Sequence, residues 1–111
     1  AHFCAPAMEE AQRLPSLEAE LREMGADLVV IDIWDGTGLV DHLNAAGYRG
    51  PVYRDDRGEL RSAFRSVATP DFFVMDAMGR IRFEHTSSAA VLRQVWTLQN
   101  LDTNPAGVAE N

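Results

Sequence analysis

The only cysteine of this chain, Cys4, stands in the stretch HFCAPAMEEA at residues 2–11. Once ionised, a thiol attacks disulfide sulfur or peroxide oxygen, so Cys4 is the first candidate for chemistry. One cysteine excludes an internal disulfide and a zinc site made of cysteines alone. The three histidines, His2, His42 and His85, are far apart and lack the spacing of a ligand pair on one helix. No metal and no other cofactor is therefore expected. His2 lies beside Cys4 and offers proton transfer or steering of the thiolate; an exposed terminal histidine is the simpler reading.

The carboxylates are weaker candidates. Asp55-Asp56 precedes Arg57-Gly58, which reads as a solvated turn. Asp35-Gly36-Thr37-Gly38 precedes a helical stripe whose first amides attract an anion, but the segment has no lysine and no full phosphate-loop pattern, so loop and cap chemistry explains it. Trp34 and Trp96 read as packing residues, Trp34 with the added option of lining a cleft at a strand end.

These groups must be held by a small single core. With 111 residues and 46% apolar side chains the chain is expected to form one domain over residues 1–101, followed by a flexible polar tail at 102–111. A formal charge of -7, with basic residues scattered, argues against nucleic acid and against an anionic membrane surface. No apolar run approaches the ~20 residues that span a bilayer, so no membrane insertion is expected. A free thiol suits a reducing compartment, which points to the cytoplasm, or to an exported location if a signal peptide has been removed.

Along the chain, Ala11, Leu14, Leu17, Leu21 and Met24 recur at three and four residues, predicting an amphipathic helix from Pro6 to Met24 that ends at Gly25. DLVVIDIW, Asp27 to Trp34, has the nearly continuous apolar character of a strand covered on both faces. Leu39, Val40, Leu43 and Ala46 mark a short helix closed by Gly47, and PVYR after Gly50 a brief strand. GELRSAF reads as a helix packing Leu60 and Phe64 inward. Phe72 to Met75 reads as a second buried strand, joined by a turn at Ala77 to Gly79 to RIRFEHT, which alternates apolar and charged residues. Ser87 or Ser88 caps a last helix carrying Val91, Leu92, Val95, Trp96 and Leu98. This order predicts an α/β fold, a mixed sheet covered by helices.

TPDFFVMDAMGRIRF, residues 69–83, resembles the thioredoxin-like superfamily and in particular its redoxin branch, which includes the thiol-disulfide proteins of cytochrome maturation and the alkyl hydroperoxide reductases. The Thr-Pro pair, the strand ending in Asp, the Gly-containing turn and the Arg-Ile strand carry the likeness. It continues upstream through LPSLEAELREMGADLVVIDIW and GPVYRDDRGELRSAF, over roughly residues 3–100. The resemblance implies a three-layer sandwich with a mixed central sheet. It also implies that Pro70 is cis, a form that costs proline only ~0.5–1 kcal/mol, and that the backbone at Thr69 meets an extended substrate beside the reactive cysteine. Typical peroxiredoxins carry an arginine near the position of Pro70 and a threonine three residues before the cysteine, where Ala1 stands here. The likeness is therefore closer to the thiol-disulfide type.

Two registers of the motif are open. In one, C-A-P-A resembles the family's C-x-P-C with Ala7 in place of the second cysteine. Cys4 is then the attacking thiol at a helix N-terminus, where amides and dipole lower a thiol pKa from ~8.5 into the ~3.5–7.5 range. Ala5, Pro6, Thr69 and Pro70 line the substrate, and an external thiol resolves the mixed disulfide. In the other, F-C-A-P-A resembles F-x-A-P-W, Met8 and Ala11 stand at the cysteine positions, and Cys4 is a packed strand-end residue. The helix proline, Pro15, fits the second spacing better. The family also has a central strand ahead of this site, yet only Ala1 to Phe3 precede Cys4. With the first strand missing or very short, either the sequence is a fragment lacking it, or a partner or swapped segment supplies it at the two exposed edges. The expected partners are thus a thiol or disulfide-containing molecule and a homodimer mate or other chain that completes the sheet. The expected function is a single-cysteine thiol redox protein, acting on disulfides before peroxides; the alternative is a non-catalytic binding module with a degenerate site.

Overall fold

The computed structural model describes residues 5–33, 38–66 and 70–103. Within them the chain is mixed α/β, in the order α1 (Ala5–Glu23), β1 (Val30–Asp32), α2 (Leu39–Ala46), β2 (Val52–Arg54), α3 (Glu59–Phe64), β3 (Phe72–Met75), β4 (Ile81–Thr86), α4 (Ser88–Thr103). Its contacts divide it into two compact units, Ala1–Asp71 and Phe72–Asn111.

In the first unit α1 forms because its apolar residues return every three or four positions. Ala11, Leu14, Leu17 and Leu21 fall on one stripe and are all buried, and α1 packs on α2. Pro6 sits in the first turn, where a missing N–H costs nothing. Pro15 lies inside the helix and faces Gly47, where an added Cβ would stand 3.6 Å from its ring. Gly47 closes α2 with a φ of 102°, and the amides of Gly47 and Tyr48 return to the carbonyls of Asn44 and Leu43. This closure brings the two most deeply buried large side chains, Leu43 and Tyr48, together in the chain. α3 ends with the same pair of bonds, Arg65 to Ser62 and Ser66 to Arg61, but with Arg65 rather than glycine at positive φ.

β1 and β2 pair in parallel with Val30 opposite Val52, Ile31 opposite Tyr53 and Asp32 opposite Arg54. Helix α2 makes the crossover that a parallel pair requires. β1 is shorter than the Asp27–Trp34 run, and Val29 is exposed rather than covered. Among the described residues its ladder has one neighbour, β2, so the side chains outside that pairing keep access to water.

Tyr48 is fully buried, and its hydroxyl donates to the carbonyls of Pro51 and Leu28. Burial, and then the nearby Glu18 carboxylate, push its phenol from 10.0 up to about 12.

In the second unit β3 and β4 form an antiparallel hairpin against which α4 packs, burying Val74, Val91 and Leu98. The register pairs Phe72 with Thr86 and Val74 with Phe83, so β4 carries an extra residue there. His85 lies in that bulge at a φ of 49°, with its ring edge-on to Phe73, centroids 5.2 Å apart. The turn is organised by Asp76. Its carboxylate accepts the amides of Arg80 and Met78, and the Nε of Arg80 and Nη1 of Arg82. The Arg80 amide first, then the two guanidiniums and the Met78 amide, hold its carboxyl down at about 2 against the opposing effect of burial.

Three packing expectations fail. Leu60 and Met75 are exposed, and Trp96 is 58% exposed on α4. α3 is a helix of six residues that buries no side chain. β3 alternates, so Met75 leaves the face opposite Val74, and on α4 the stripe through Val91 and Leu98 turns Trp96 outward.

Candidate functional site

Among the described residues helix α1 spans Ala5–Glu23, and Pro6 lies within it. Cys4 itself and Thr69 lie outside the described residues, as do His2, Trp34 and Asp35 to Thr37. Pro70 is half-buried in a bend two residues ahead of β3. On either side of the Thr69-Pro70 segment, the Ser66 hydroxyl donates to the Asp71 carboxylate at 3.1 Å, which clasps its two ends.

The positions of the competing register are also visible. Met8 falls inside the first turns of α1, three residues beyond its start, and Ala11 is buried on the helix's inward stripe. A residue on that stripe packs against the core rather than facing a substrate.

Of the acidic candidates, Asp55 has a structural task. Its Oδ1 accepts the Leu60 amide at 3.0 Å and its Oδ2 the Arg61 amide at 2.9 Å, satisfying donors that α3 leaves open in its first turn. Asp56 pairs with Arg54 Nε at 3.0 Å. Gly38 caps α2 at a φ of 114°, with no side-chain cap bond.

Sequence reading did not find the other constellation. Asp32 and Arg54 are opposite one another at the carboxyl ends of β1 and β2, on the face that also carries Val52. They line a cavity of about 230 Å³ that is walled by the start of α2 through Leu39, Val40 and Asp41. Asp32 is only 6% exposed. The available signal was the lone Asp in the apolar run LVVIDI, an ionisable group placed where a buried strand was expected. Arg54 carried no signal, because its position beside Asp32 depends on strand register.

Among the described residues no group of three His, Cys, Asp or Glu is arranged to hold a metal ion, and no helix is long and apolar enough to cross a membrane. Compared with protein-family models, with curated proteins and with solved structures, the chain matches none.

Proposed function

We propose that this chain is a thioredoxin-like, single-cysteine thiol redox protein of a reducing compartment such as the cytoplasm. The observation that carries the reading is the bend at Pro70 that leads into β3, the first strand of an antiparallel hairpin, in the place where the resemblance sets its substrate-facing proline. In the register in which Cys4 is the attacking thiol, it stands at a helix N-terminus, where unpaired amides and the positive end of the dipole favour a thiolate. Further support comes from the element order.

The chemistry needs only the chain and thiols. The Cys4 thiolate attacks one sulfur of a disulfide, a mixed disulfide forms, and the second sulfur leaves as a thiolate that takes a proton from water. Ala7 stands where a resolving cysteine would act, so a second, external thiolate attacks the mixed disulfide and releases Cys4. Ala5, Pro6, Thr69 and Pro70 are assigned to substrate contact.

The test is the rate of Cys4 alkylation between pH 4 and 9 in native and unfolded protein. The expected result is an accessible native thiol titrating near or below about 6, within the range of activated cysteines. A thiol that reacts only after unfolding overturns the reading.

A second reading draws on a different observation: the described strands form two separate pairs, β1 with β2 and β3 with β4. Two-stranded pairs with open edges suit a binding module that takes up an extended chain by strand addition. In that case Cys4→Ser leaves partner binding intact.

A further inference from the structure

We propose that the outer face of α4 pairs with the same face of a second copy of this chain, the two helices running antiparallel about a two-fold axis. The surface belongs to α4 alone and does not depend on Cys4 or on the thiol reading.

On one side of α4 Val91 and Leu98 are buried, and on the other Ala89, Arg93, Trp96 and Asn100 are exposed. Steps of four, three and four residues place these four on a single stripe. Trp96, 58% exposed, stands near its middle with Arg93 beside it. Tryptophan and arginine are among the residues that most often anchor interfaces, because each offers a large flat surface at little conformational cost.

Charge and symmetry together select the occupant. The chain carries a formal charge of -7, yet from Ser88 to Leu101 its one charged residue is Arg93. Two copies therefore meet on this stripe without bringing carboxylates together. A parallel pair sets Arg93 against Arg93. An antiparallel pair centred between Gln94 and Val95 instead sets Arg93 of each copy opposite Trp96 of the other, and Ala89 opposite Asn100. The guanidinium then lies against the negative face of the indole, and the two-fold axis makes that contact twice.

The polar side chains along the stripe are prepared for burial. Asn100 Nδ2 donates to the Trp96 carbonyl and Thr97 Oγ1 to the Arg93 carbonyl, both at 2.8 Å. These donors keep their partners when a second helix covers them, so pairing leaves neither of these two bonds unmade. Ala89 is small enough to let the two helices approach at their ends. A helix of 16 residues is about 24 Å long, which puts the contact at the low end of interface sizes and makes the dimer weak and reversible.

The experiment is sedimentation equilibrium of the whole chain from about 20 µM to about 1 mM, with a reductant present to remove any Cys4 disulfide, beside amide NMR over the same range. A monomer–dimer equilibrium with a dissociation constant on the order of 100 µM is expected, with concentration-dependent shifts at Ala89, Arg93, Trp96 and Asn100. Trp96→Gln and Arg93→Glu, both at exposed positions, each weaken the dimer about tenfold or more, whereas Arg93→Lys, which keeps the cation, stays within about threefold. A monomer at the highest concentration, a dimer that Trp96→Gln or Arg93→Glu leaves unchanged, or shifts confined to the strands overturns the proposal.

Discussion

The Tyr48 hydroxyl donates to the Pro51 carbonyl at 2.8 Å, closing a loop of three residues over Gly50. It also reaches the Leu28 carbonyl at 3.3 Å, so one buried side chain ties the end of α2 to the approaches of both parallel strands. A Cβ on Gly50 would fall on the Glu18 carboxylate oxygen and within 2.5 Å of the Tyr48 hydroxyl. Gly50→Ala is therefore expected to cost more than Tyr48→Phe. The phenylalanine variant should lose about 1–3 kcal/mol by leaving buried carbonyls without their donor, read as a lower urea midpoint at unchanged slope.

Tyr48 also sets an alkaline limit. Its phenol titrates at about 12 in the folded chain, against 10.0 for an ordinary tyrosine. Above 10 the unfolded state gives up this proton while the folded state keeps it, so stability is whole below pH 10 and falls as pH rises towards 12. The loss is on the order of 2–3 kcal/mol. Urea unfolding at a series of pH values from 9 to 12 should show it, and Tyr48→Phe should remove that slope.

Asp76 sets the opposite limit. Its carboxyl is held at about 2 by the Arg80 amide, the two guanidiniums and the Met78 amide. Because the folded value lies below the ordinary 3.8, this contribution is present above pH 4 and disappears as pH falls towards 2. Asp76→Asn should flatten the acid limb of a pH–stability profile between 4 and 2 and increase amide exchange at Met78 and Arg80.

The α3 helix depends on Asp55. Removing both acceptors by Asp55→Ala exposes the Leu60 and Arg61 amides, at a cost of about 0.5–2 kcal/mol. Amide exchange in α3 should accelerate, while exchange in α1, whose stripe is buried elsewhere, stays slow. Uniform acceleration across both helices would mean that Asp55 supports more than its own helix.

Which parts of this were legible beforehand follows from the range of the forces involved. The stripe Ala11, Leu14, Leu17 and Leu21 was readable because helical period and burial are both written within four residues. Gly47 as the end of α2 was readable because positive φ is a local demand that glycine meets best. Arg65 fulfils the same role at the end of α3 and gave no such sign. Trp96 was misread because a large aromatic suggests packing, and a helix's residue type does not say which stripe finds a partner.

The sequence by itself determined the order of helices and strands, the turn at Ala77 to Gly79, and the apolar stripe of α1. Those depend on periodicity and on backbone preferences of neighbouring residues. Only the tertiary structure decided that Asp32 faces Arg54, that Asp55 turns to α3, that Tyr48 reaches Leu28, and that β4 bulges at His85. Each of these sets together groups separated along the chain or a register between two strands, and register is chosen by the packing of whole faces, which no single stretch of sequence contains.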